Sequence, residues 1–250
     1  MLFLDICYEK LRNLVPAQKQ VAINRGEKVL EVTQHMGLSF EPVMNHWVAS
    51  NPVIAHLANY YYTVFHLPMT AGVLIWIFWK HPRLYRSIRS ALVITTAIAL
   101  VSFYVLPMAP PRLLPSGQFV DVSHLYPTWG SWSSPTVAEH SNQYAAMPSL
   151  HVAWALWCGL VVFNVAKTKW VRIAGLIYPL LTFLVVVGTA NHFAIDAVAG
   201  GLVITISFGV VWALYGHSAF QSALTREELT LTSTPPRVGV RTAASQFVRR

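Results

Sequence analysis

A histidine and an aspartate stand four residues apart in Gly188-Thr189-Ala190-Asn191-His192-Phe193-Ala194-Ile195-Asp196, at the junction of two very apolar segments. A helix beginning near His192 would stack the two on one face, within hydrogen-bonding reach. Such a carboxylate holds the correct tautomer of an imidazole acting as a nucleophile. Asp196 is also the one acidic side chain inside a long apolar run. An ionised carboxylate in a bilayer core costs roughly 2.5–3.5 kcal/mol on the mildest insertion scale, so it requires a partner or a task. Other residues fit the same chemistry. His151, in Pro148-Ser149-Leu150-His151, is a second histidine, and two histidines can supply a nucleophile and a general acid. Proline suits the first turn of a helix, Ser149 or its neighbours can cap it, and its unpaired N–H groups favour an anion. Arg112, in a proline-rich run, is a bidentate phosphate binder. With Asn191, these are the parts of a phosphoryl-transfer site without a metal.

The elements that carry these residues must bring them to one place. Of 250 residues, 54% are hydrophobic and 11% charged, whereas soluble domains are about one quarter charged. The chain is therefore expected to be an integral membrane protein with one membrane domain and polar ends. Its net charge of +8 resides in short loops and tails between apolar runs, the positive-inside pattern and not a nucleic-acid footprint. Two cysteines, Cys7 and Cys158, are too few for a disulfide framework. The first ten residues hold only a four-residue apolar run broken by Asp5, too short for a signal-peptide core.

The expected fold is all-α: a polytopic membrane bundle of five spans plus an amino-terminal amphipathic or re-entrant helix. The apolar runs place spans at about 56–79, 88–106, 147–166, 170–190 and 192–215. Residues 1–50 form an interfacial segment, with an amphipathic helix over 20–36 that lies on the membrane or packs on the bundle, and a second short one over 42–48. Residues 51–216 are the membrane-embedded domain, and 217–250 read as a disordered basic tail. In the first span His56, Asn59, Tyr60, Thr63, His66 and Thr70 share one helical face that should look into the bundle. Proline is dense enough from 107 to 115 to forbid a helix, so 107–145 is a long functional loop.

Alternating spans put positions 107, 147 and 192 on one side of the membrane. Four Lys and Arg lie in 80–89, three in 167–172 and five in the tail, against Arg112 alone on the motif side. That side is therefore expected to be extracytoplasmic in a multi-pass cell-membrane protein. Five spans leave the amino-terminal segment and its five basic residues on the same side, unless a hidden sixth element in 20–55 restores the balance.

Pro148-Ser149-x-His151 and His192-x3-Asp196, preceded by a loop bearing Arg112, resemble the second and third signature motifs of the type 2 phosphatidic acid phosphatase superfamily. Ala109-Pro110-Pro111 and the first span, with its histidines and tyrosines, look more like the branch that includes inositol phosphorylceramide synthases. The resemblance implies a helical six-element core and a phosphohistidine intermediate. It implies His192 as the nucleophile, Asp196 as its orienting group and His151 as the acid that protonates the leaving group. Arg112, with groups near Ser149 and Asn191, would hold the phosphate, and no cofactor is implied. Two departures matter. Val105 stands where the phosphatase pattern has a lysine, seven residues before Arg112, and Val186 where it has an arginine, six before His192. Fewer cations favour a phosphodiester over a doubly charged phosphomonoester, and so transfer of a phospho-headgroup over simple hydrolysis.

Two other readings use the same residues. His151, His192 and Asp196 could form a facial metal triad, although Arg112 beside them would repel a dication. Alternatively, His56, His66, His151, His192 and Asp196 could line a proton or solute path; no inverted repeat is visible, and the charges gather at one face instead of the midplane. The expected partners are the membrane and a lipid phosphate or phospholipid. A diacyl lipid, a polyprenyl phosphate and an inositol phospholipid would each present an apolar tail to the spans and a phosphate to Arg112.

Overall fold

The structure, a computed structural model, describes residues 19–37, 40–128 and 143–221. The expected tail beyond residue 221 and positions 129–142 of the proline-rich loop lie outside the described residues.

Helices α1 (Lys19–His35) and α2 (Phe40–Ala49) precede the apolar runs. Then α3 (Pro52–Tyr60), a π-turn (Tyr61–Phe65) and α4 (His66–Lys80) form one continuous rod. After it come α5 (Pro82–Val105), the single turn α6 (Val122–Leu125), α7 (Leu150–Val165), α8 (Lys169–Gly188) and α9 (Ala194–Tyr215). Helices suit this composition because a backbone in hydrocarbon must satisfy its own hydrogen bonds. Pro52 and Pro82 stand in the first turns of α3 and α5, where a missing N–H costs nothing. Gly216, at φ +67°, closes α9 in the left-handed conformation.

Four rods are long and apolar enough to cross a membrane: Pro52–Lys80, Pro82–Val105, Lys169–Gly188 and Ala194–Tyr215. Large apolar side chains on them point outward, Trp79 at 73% and Trp170 at 76% exposure. The third of the five expected spans is shorter than expected. α7 has 16 residues, roughly 24 Å at 1.5 Å per residue, below the ~30 Å of a hydrocarbon core. Residues 147–149, expected in the span, lie outside the helix: on their two flanks the Ala146 N–H donates to Met108 O of the proline-rich loop and the Ser149 N–H to Asp196 O.

Within the bundle α7 packs on α8, α4 and α9, and α9 on α5. Pro179 inside α8 leaves the carbonyl of Gly175 without its usual i+4 partner. That carbonyl faces Gly159 of α7 so closely that a Cβ there would stand 2.5 Å from it. The helices alternate in direction, so the starts of α3, α7 and α9 and the ends of α5 and α8 gather at one end with the motif residues. Lys80, Arg83, Lys167, Lys169 and Arg172 gather at the other. The basic stretch 80–89, expected as a loop, belongs mostly to the first turns of α5; only His81 separates α4 from α5.

Both amino-terminal helices pack on the motif end. Ala109 N–H donates to Ala22 O, Arg25 Nη1 to Pro107 O, and α2 lies against α8. Neither is one of the four helices long and apolar enough to span among the described residues. Residues 107–111 of the proline-rich loop are buried. Prolines are well suited to such a place because each carries no N–H to satisfy.

The polar face of the first span is partly rearranged. Asn59, His66 and Thr70 are buried as expected, but His56 and Tyr60 are exposed. The π-turn at 61–65 adds a residue to one turn and rotates everything after it. Tyr62 thereby becomes the buried aromatic of the turn.

Candidate active site

Three chain segments meet at the motif end through backbone bonds. Met108 N–H donates to Tyr144 O (2.7 Å), Arg112 N–H to Ala190 O (3.0 Å) and Ser149 N–H to Asp196 O (3.0 Å). The last bond seats the start of α7 on the first turn of α9, so two helix N-termini with their favourable field for anions lie side by side. Gly200, one turn beyond Asp196, permits this approach: a Cβ there would stand 2.6 Å from Ser149 O.

The pair His192 and Asp196 is in contact, but not by helical stacking. α9 starts at Ala194 with Phe193 as its cap, so His192 lies outside the helix. Asp196 is the third helical residue and reaches back, accepting from Phe193 N–H at 2.8 Å. From there its Oδ2 stands 3.6 Å from His192 Nδ1. The closer partner of that nitrogen is the carbonyl oxygen of Ala146, at 2.8 Å. A carbonyl can only accept, so Nδ1 carries the proton and Nε2 carries the lone pair. Both residues are buried, His192 at 5% and Asp196 at 0% exposure.

His151 sits in the first turn of α7 with its ring centroid 5.9 Å from that of His192. Tyr62 stacks on it at 4.2 Å and His66 lies against it at 4.6 Å. His66 in turn stacks on Trp154 at 4.9 Å. The π-turn and the first residue of α4 thus supply two rings, four residues apart, that hold the imidazole of His151.

Arg112 is anchored by three side-chain bonds. Nε donates to Asn191 Oδ1 (3.0 Å), Nη1 to Asp121 Oδ2 (3.1 Å) and Nη2 to Gln143 Oε1 (3.4 Å). A guanidinium has five N–H groups, so two remain for a ligand. Asn191 is 4% exposed and its Nδ2 donates to Thr189 Oγ1. Both ends of its amide are therefore committed to protein, and it orients Arg112. Ser149 is fully buried; its N–H goes to Asp196 and its hydroxyl accepts from Val152 N–H at 3.4 Å. It caps α7 and ties α7 to α9. Among the described residues no group of three His, Cys, Asp or Glu is arranged to hold a metal ion.

The chain matches the PAP2 superfamily over residues 27–210. It belongs to that superfamily. PAP2 membership makes it a phosphatase-type enzyme, and with the apolar helices it is a membrane lipid phosphatase in class. No curated protein matches the chain. Among solved structures, LpxE of Aquifex aeolicus is similar at a TM-score of 0.50 and 16% identity, covering 70% of this chain and 94% of that one. That likeness concerns the helical fold alone.

Several residues of this candidate site carry no sequence signal of the kind motifs give. Asp121 and Gln143 anchor Arg112 from within the proline-rich loop. Glu41 is 1% exposed, and its Oε1 accepts from Ala194 N–H at 2.7 Å. Burial, with the charge of Asp196 adding to it, pushes the Glu41 carboxyl up to about 7. Asn45, one turn further along α2, donates to Gly188 O and Val120 O and accepts from Val120 N–H. The available hint was the alternation of polar and apolar residues in 40–49, where Glu41 and Asn45 fall on one face, i and i+4. Ala190 adopts φ +55°, a left-handed conformation in a residue with a Cβ, and it is completely buried.

Proposed function

We propose that the protein is a metal-independent phosphotransferase of the cell membrane that moves a lipid-linked phosphate or phospho-headgroup, such as phosphoinositol, through a phosphohistidine on His192. The observation that carries this reading is the bond from His192 Nδ1–H to Ala146 O, which leaves Nε2 as the nucleophilic nitrogen. In the first step Nε2 attacks phosphorus, a P–N bond forms, the P–O bond to the leaving group breaks, and His151 gives that oxygen its proton. Asp196, 3.6 Å from Nδ1, offsets the positive charge that the ring then acquires. In the second step an acceptor hydroxyl gives its proton to His151, its oxygen bonds phosphorus, and the P–N bond breaks. Arg112 binds the equatorial oxygens through its two uncommitted N–H groups, with the N-termini of α7 and α9 behind the anion.

Charge favours a diester substrate. Val105 and Val186 stand where a lysine and an arginine would add cations, and Asp121 neutralises part of Arg112. The basic residues at the opposite end support an extracytoplasmic site in a multi-pass topology.

The test is a release assay on purified protein over phosphatidate, a polyprenyl phosphate and phosphatidylinositol, each with and without a lipid alcohol, following inorganic phosphate and new phospholipid together. Transfer products from the diester with little free phosphate are expected, and an acid-labile phosphoenzyme should form in the wild type but not in His192→Ala. Rapid release of inorganic phosphate from a monoester, with no transfer to any alcohol, would replace this reading with a phosphatase. Labelling by a membrane-impermeant thiol reagent of cysteines placed at Gln118 and at Lys167 tests the orientation; reaction at Lys167 only would reverse it.

A further inference from the structure

Helix α2 grips both ends of the loop that carries His192. Glu41 Oε1 accepts from Ala194 N–H, the first residue of α9, at 2.7 Å. Four residues on, Asn45 Nδ2 donates to the carbonyl of Gly188, the last residue of α8, at 3.0 Å. The five residues between those anchors, 189–193, include the strained Ala190, the Arg112-orienting Asn191 and His192. Both side chains are buried, at 1% and 0% exposure. Asn45 reaches further: Nδ2 donates to Val120 O (3.1 Å) and Oδ1 accepts from Val120 N–H (2.8 Å), which ties the loop next to Asp121 to the same helix. Neighbouring Gly188 closes the fit, since a Cβ there would stand 2.9 Å from a methyl carbon of Val48 in α2.

We propose that α2 is a clamp on this loop, with Glu41 and Asn45 as positioning residues that fix the imidazole of His192 against Ala146 and hold Asn191 and Asp121 at Arg112. The proposal rests on His192 being the nucleophile. The physical reason is local. Residues 189–193 lie between two helices, and their N–H groups reach only the helix ends beside them: Thr189 to Val185 O, Ala190 to Val187 O, Asn191 and His192 to Val186 O, and Phe193 to Asp196 Oδ2, so the two helix ends must themselves be held together. A segment with a left-handed alanine returns to ordinary geometry if its ends are released. Glu41 holds one end through a single carboxyl oxygen that accepts from a backbone N–H otherwise unsatisfied at a helix start. Its Oε2 has no hydrogen-bond partner among the described residues, so one oxygen makes the whole contact. Glutamine keeps that oxygen, and alanine removes it.

The experiment compares wild type, Glu41→Ala, Glu41→Gln, Asn45→Ala and His192→Ala in detergent by hydrogen exchange of the peptide covering 186–196, with orthovanadate as the probe of the phosphate site. Glu41→Ala and Asn45→Ala are expected to speed exchange in that peptide about tenfold and to weaken orthovanadate about tenfold, while α5 and α7 stay protected. Glu41→Gln should behave as wild type in both. If Glu41→Ala does not fold, Glu41→Met, similar in volume with no acceptor, takes its place. Unchanged exchange and affinity in the Glu41 and Asn45 variants overturn the clamp, and so does loss in Glu41→Gln equal to that in Glu41→Ala. His192→Ala should lose orthovanadate binding with the peptide still protected. If it binds as wild type, the nucleophile reading fails, and the exchange result still decides the clamp.

Discussion

His192 donates its Nδ1–H to the carbonyl oxygen of Ala146 at 2.8 Å, while the carboxylate of Asp196 stands 3.6 Å from the same nitrogen. Tautomer and charge are therefore supplied by different groups. A peptide oxygen fixes where the proton sits, and the carboxylate supplies the field.

This division sets the expectation for Asp196. Asp196→Asn keeps an oxygen for Phe193 N–H and leaves the Ala146 bond intact, removing only the charge. A fall in kcat of about 10² with KM within twofold is expected, against complete loss for His192→Ala. Asp196→Ala should cost a further ~1 kcal/mol of stability as the helix loses its cap, read as a lower melting temperature. Equal loss of kcat in Asn and His variants would assign the tautomer to Asp196 instead.

Arg112 and Asp121 form a pair whose balance should tune substrate charge. Asp121→Asn removes the carboxylate 3.1 Å from Nη1 while keeping an acceptor. The net charge around Arg112 rises by one, and KM for a dianionic phosphomonoester should fall several-fold relative to that for a monoanionic diester. Arg112→Lys, which cannot bind Asn191, Asp121 and phosphate together, should lose 10²-fold or more in kcat/KM for both. Steady-state kinetics on one monoester and one diester decide it.

Gly200 is the contact on which α7 sits. Gly200→Ala puts a methyl 2.6 Å from Ser149 O, a backbone atom that cannot rotate away. Overpacking of this kind costs about 1–3 kcal/mol, and the displaced start of α7 should carry His151 with it. Melting temperature and kcat should fall together. Gly209, with nothing within 4 Å of its Cβ position, is the control and should tolerate alanine.

Glu41 predicts a pH dependence of stability. Its carboxyl is pushed up from 4.5 to about 7 in the folded protein, by burial first and by the Asp196 charge also, against the lowering effect of the Ala194 bond. A folded-state value above the unfolded one means that the contribution is full below pH 4.5 and lost as pH rises through about 7. Each unit corresponds to about 1.4 kcal/mol, so the rise from 4.5 to about 7 makes the loss on the order of 3 kcal/mol. The difference in melting temperature between Glu41→Gln and wild type should be near zero at pH 4.5 and favour the glutamine variant at pH 8. Parallel curves would show that folding leaves the Glu41 carboxyl at its ordinary value.

Much of the fold was legible in the sequence because a bilayer enforces it. Apolar runs of about twenty residues must be helices, and their alternation brings Arg112, His151 and His192 to one end without any knowledge of packing. The identities of those residues and their order along the chain were likewise sufficient to suggest phosphoryl transfer. The boundaries were less legible. The i, i+4 spacing of His192 and Asp196 suggested a shared helix, yet the helix begins at Ala194 and the contact is made by a capping side chain. The π-turn that brings Tyr62 against His151 leaves no mark in a 3.6-residue period.

Tertiary structure alone decided which partners each group has. Ala146 lies 46 positions from His192 and Glu41 lies 153 from Ala194. Such bonds have no local periodicity to announce them, because they depend on how helices close over one another and not on which face of a helix is apolar. The sequence by itself determined what chemistry is present at the motif end; the packing of α2, α7 and α9 decided that His192 carries its proton on Nδ1, because there the carbonyl of Ala146 comes within reach.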